Sequence, residues 1–186
     1  MPTPVGHALA GFAAGWMIAQ FPPPPMRIPP PPPGSIRDQV RNDWRQAVAF
    51  AALGALPDID LLFHAHSTYT HSIGAALFVW FVASTVYEVP FRVAAGSGAA
   101  VASHVLLDFL GVDTSPPYGI TALWPFEPWY CYSGLDIFPA ADRRYWLPSF
   151  WPNLITAIKW ELIILVPVAL LVIWIRRPRS PFVFYA

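Results

Sequence analysis

The chain has 186 residues, room for one domain, and is 55% hydrophobic but only 12% charged, about half the charged share of a soluble protein. Its formal net charge is zero, which excludes the basic excess that neutralises phosphates, so no nucleic-acid partner is expected. One cysteine, Cys131, excludes an intramolecular disulfide and a thiolate zinc site, leaving nitrogen and oxygen donors for any metal.

The first apolar run, Gly6 to Phe21, opens at His7 with no positive segment before it, so it reads as a retained helix and not a cleaved signal. Pro22 to Pro25 and Pro29 to Pro33 then impose a polyproline stretch, because consecutive prolines lack the helical donor. This makes 22–46 a proline-rich linker inside one membrane-embedded domain, 1–186. The second run, Ala47 to Leu56, stops at Pro57, which restricts Leu56 to extended conformations and places Asp58 and Asp60 in a turn. There they either converge on an ion or cap a helix.

Next come His64, His66 and His71, three imidazoles just ahead of the third run, Ile73 to Val89. Capping by Thr70 or Ser72 accounts for the helix start but for none of the histidines. The fourth run, Val93 to Leu110, carries His104 and Asp108 at helical i to i+4 spacing, on one face. From 111 to 152 the chain is rich in proline, glycine and aromatics, including Trp124, Trp129, Tyr130 and Trp146, and suits a surface loop at the headgroup level. The fifth run, Leu154 to Ile175, ends at Arg176-Arg177-Pro178-Arg179, the form of a membrane exit.

These elements predict an all-α, multi-pass transmembrane helical bundle in a cell membrane, with four core helices plus a C-terminal helix. The alternative is a soluble helical protein with a very apolar core. If the runs alternate in direction, His7, Asp58, Asp60, His66, His71, His104 and Asp108 all fall at one end. Three uncompensated carboxylates in a bilayer would cost roughly 7–10 kcal/mol, and no basic residue adjoins them in sequence, so a metal is the simplest partner. A lone histidine is more often structural; seven clustered donors are not. Eight basic residues (Arg27, Arg37, Arg41, Arg45, Arg92, Arg176, Arg177 and Arg179) fall at the opposite end and three (Arg143, Arg144 and Lys159) at the cluster end, which predicts a metal site on the non-cytoplasmic face.

Gly6-His7, Leu56-Pro57-Asp58-Ile59-Asp60, His66 with Thr70-His71-Ser72, Ser103-His104 through Asp108, and Gly119 to Leu123-Trp124-Pro125-Phe126 together resemble the YdjM-type membrane-bound, metal-dependent hydrolases. The resemblance implies distant kinship with zinc-dependent phospholipases C and related zinc nucleases. Ser67 stands where that family commonly has an arginine. The expected function is hydrolysis of a phosphoester of a membrane lipid or lipid-linked substrate. Two or more divalent ions, zinc by donor type, would be held by the seven residues, with Asp58, Asp60 and Asp108 catalytic. The rivals are a non-catalytic metal transporter or sensor, and an interaction protein docking through its polyproline strip.

Overall fold

The computed structural model describes residues 1–20, 35–63, 67–87, 89–114, 116–141 and 145–176, with backbone only for 35–43, 62 and 63. The order is α1 (Pro4–Ala19), α2 (Ser35–Ala55), a 3₁₀ helix (Leu56–Phe63), α3 (Ile73–Thr85), α4 (Phe91–Leu110) and α5 (Phe150–Ile175). The described residues contain no strand, only two isolated bridges, Gly111 with Phe138 and Ile120 with Cys131. The all-α expectation holds at that level.

Local chemistry explains the starts. Thr3 caps α1 by accepting from the Gly6 amide, and Pro4 lies in the first turn, where its missing N–H costs nothing. Ser72 caps α3 through the Ala75 amide. Several boundaries differ from the sequence reading: α3 ends at Thr85 and not Val89, and α5 begins at Phe150, inside the expected loop. Helix α2 already begins at Ser35, within the expected linker, since no proline follows Pro33 until Pro57. Leu56, expected to be extended, opens the 3₁₀ helix, whose first turn tolerates Pro57. The polyproline segment itself lies outside the described residues.

Helix α4 is the centre. Its small residues Ala94, Gly96, Ser97, Gly98 and Ala100 are buried, letting α1, α2 and α3 approach closely. Helix α5 lies alongside α1 in the same direction: Glu161 meets Thr3 at one end, and the Arg176 guanidinium donates to the Met17 and Gln20 carbonyls at the other. A cation on those orphan carbonyls suits the negative end of the helix.

Among the described residues two helices are long and apolar enough to cross a membrane, α4 with mean hydropathy 1.5 and α5 with 2.3. Helices α1 and α3, with 16 and 13 residues, are shorter than the about 20 that a straight span needs. The loop after α4 folds back over the site end. Its Ala122 and Trp124 carbonyls take the Ile73 and Gly74 amides at 2.8 and 2.9 Å, and its Val112 carbonyl takes the Met1 ammonium at 2.7 Å.

Candidate metal centre

Four separate chain segments deliver donors to one point. His7 comes from the second turn of α1, Asp58 from the 3₁₀ helix, His71 from the turn before α3, and His104 with Asp108 from the last turns of α4. Asp108 is the hub: one oxygen lies 3.3 Å from His7 Nε2, the other 3.4 Å from His71 Nε2 and 3.1 Å from His104 Nε2. Four donors about 2.1 Å from a tetrahedral zinc would stand about 3.4 Å apart. The spacing fits.

Asp58 sits slightly farther out, 3.7 Å from His71, 3.8 Å from His104 and 4.0 Å from His7. Its side chain is 15% exposed while those of the three histidines and Asp108 are 0%, so the centre opens on the Asp58 side. Two overlapping donor groups, His7–Asp58–His104 and His71–His104–Asp108, have ligand atoms close enough to hold a metal. Among the described residues, both ring nitrogens of His7, Nε2 of His104 and both Asp108 oxygens are buried without a hydrogen bond, a set that a bound ion would satisfy. Native interiors rarely leave such groups unsatisfied.

The rings are aimed from behind. His104 Nδ1 donates to the Gly54 carbonyl at 2.8 Å, which fixes the tautomer and turns Nε2 towards Asp108. That carbonyl is in reach because α1 and α2 touch at two glycines; a Cβ on Gly54 would stand 2.4 Å from the His7 carbonyl and 2.7 Å from the Gly11 Cα. His71 Nδ1 faces Asp60 at 3.2 Å, and Thr70 Oγ1 donates to the same carboxylate at 2.6 Å. Asp58 and Asp60 therefore bracket His71, one at each nitrogen. Two residues apart on a 3₁₀ helix they point in different directions, so they do not converge as a pair. Among the described residues the His7 ring has no such partner, and it stacks on His104, centroids 3.7 Å apart.

Electrostatics follows. Burial works against charge on Asp58, but His71, His7 and His104 hold its carboxyl below the usual range. Burial likewise pulls His71 down, yet Asp58 and Asp60 outweigh it and lift the imidazole to about 9. Without metal, His71 is thus a cation at neutral pH.

The chain matches the family model described as YdjM inner membrane protein over residues 1–182. It belongs to that family. Membership places it among inner membrane proteins, in keeping with the two long apolar helices. No curated protein and no solved structure matches the chain.

Of the seven residues expected from sequence, the structure gathers His7, Asp58, His71, His104 and Asp108, and sets Asp60 behind His71. His66 lies outside the described residues. Ser67, in the place of the family arginine, is buried in a left-handed conformation (φ 67°) with its hydroxyl 3.6 Å from the Met1 sulfur. Sequence reasoning missed Glu161, fully buried in α5. A lone carboxylate in a long, mostly apolar helix was the available signal.

Proposed function

We propose that this protein is a membrane-bound, metal-dependent hydrolase acting on a phosphoester of a lipid or lipid-linked substrate. The observation that carries the reading is the convergence of three buried imidazole nitrogens on Asp108, with one partly exposed carboxylate, Asp58, at the open side. His7, His71, His104 and Asp108 would hold a divalent ion, zinc by donor type. Such an ion supplies a lowered water pKa and a positive charge against a phosphoryl oxygen.

The protein residues do the rest. Asp58 stands where it meets water entering the site, and as a carboxylate held ionised it orients the nucleophile by accepting its hydrogen bond. Asp60 and the Gly54 carbonyl keep His71 and His104 turned inwards. One ion suits the described donors better than two or more. The two donor groups share His104, whose Nδ1 is committed to Gly54, leaving one nitrogen for one ion.

A lipid substrate is favoured by the surroundings. Exposed Tyr69, Phe126, Trp129, Tyr145 and Trp146 flank the loops at this end, the residue types that settle at the headgroup level. The basic residues of the other end favour a centre facing away from the cytoplasm. The test is hydrolysis of phosphodiester and phospholipid substrates by detergent-purified, zinc-loaded protein. Turnover that disappears in Asp108→Asn supports the reading. No turnover of either substrate, with zinc flux into protein-containing vesicles instead, would replace it with a transporter.

A further inference from the structure

Glu161 lies on α5, which contributes no donor to the centre, yet it is 0% exposed in a helix whose span is only 22% buried. Its Oε1 accepts from the Thr3 amide and its Oε2 from the Thr3 hydroxyl, both at 2.5 Å. The same hydroxyl accepts from the Gly6 amide at 3.4 Å. The carboxyl group fills the space a side chain at position 6 would take: a Cβ on Gly6 would stand 2.7 Å from it. Thr3, Gly6 and Glu161 thus interlock at the first turn of α1, where the positive end of the helix favours a carboxylate.

His7 follows at once, its amide bonded to the Thr3 carbonyl at 3.1 Å. His104 is oriented by Gly54 and His71 by Asp60, but neither His7 ring nitrogen has a hydrogen bond among the described residues. Apart from the 3.3 Å approach of its Nε2 to Asp108, itself a donor of the centre, what fixes His7 is its stack on His104 and its own backbone. We propose that Glu161 is a positioning residue that clamps the first turn of α1 through Thr3 and so holds His7 against the metal centre. This rests on the metal reading above. The sequence elements of the device are a threonine cap, a glycine three residues later, the donor histidine next to it, and a distant glutamate.

The experiment measures zinc affinity by chelator competition, and the visible absorption of the cobalt(II) form, on the full chain in detergent. Glu161→Ala should weaken zinc about 10- to 100-fold, the range for lost outer-shell support, and its cobalt spectrum should match that of His7→Ala. Glu161→Gln, keeping one acceptor, should fall between. Gly6→Ala should reproduce the loss in the native background and add little in Glu161→Ala, where the carboxyl is gone. This pair keeps the test open if one variant folds poorly. Reduced thermal stability with unchanged zinc affinity and an unchanged cobalt spectrum in these variants would overturn the positioning role while leaving the metal centre intact. Absence of zinc binding by the wild-type protein would instead overturn the metal reading on which the proposal stands.

Discussion

Helices α4 and α5 are both long and apolar enough to cross a membrane, yet they do opposite work. Over its most apolar stretch α4 is 61% buried and α5 only 22%. On α4 the buried positions run all round, and most are small, so three neighbours close on it and its end offers His104 and Asp108 to the centre. On α5 the buried positions form one line, Ala157, Glu161, Leu165, Ala169 and Val172, at the spacing of a single face. Its outward side carries Ile163, Leu170, Leu171 and Trp174, more than half exposed. Hydropathy alone would rank α5 as the more buried helix. Side-chain size and the placement of polar groups tell the two apart.

The largest effect that separates the two helices is on metal. Asp108→Asn or His104→Ala should weaken zinc more than about 100-fold in chelator competition, beyond the range for outer-shell changes, while Leu170→Ala on α5 leaves it unaltered. Asp60→Ala should cost about 10- to 100-fold, because His71 keeps its place in the chain but loses the carboxylate that turns it. Equal losses at Asp60 and Asp108 would erase the distinction between holding the ion and aiming its donors.

Packing comes next. Ala100→Leu, at a position 0% exposed on α4, should destabilise the protein by about 1–3 kcal/mol in a denaturant titration. Leu170→Ala, 59% exposed on α5, should stay within about 0.5 kcal/mol. The smallest effect is on pH. His71 has its pKa raised from the ordinary 6.5 to about 9 in the metal-free protein, so its contribution to stability is complete below about 6.5 and lost as pH climbs through about 9. Zinc competes with that proton, so its affinity should rise across the same window and level off above it. His71→Ala should flatten the metal-free stability profile there.

Much of this was legible because the chain alternates. Donors at the start of one helix and the end of the next must meet if the helices are antiparallel, and His7, Asp58, His71, His104 and Asp108 meet. The division of labour between Asp58 and Asp60 was not legible, since it depends on the 3₁₀ path after Ala55, and Pro57 on its own suggested an extended turn. Glu161 escaped because its partners, Thr3 and Gly6, stand at the other end of the sequence, where no local spacing links them to it. Arg176 resembled a membrane-exit charge, yet it also closes the far end of α1, a role visible only once α1 and α5 lie side by side.

The central claim is that His7, His71, His104 and Asp108, from three segments, hold one metal ion with Asp58 at its open side. Elemental analysis of the detergent-purified protein, with His104→Ala beside the wild type, tests it most directly. The account predicts about one zinc per wild-type chain, consistent with a single tetrahedral donor set, and close to none in His104→Ala. A wild-type protein without metal, or a His104→Ala variant that retains it in full, would contradict the account.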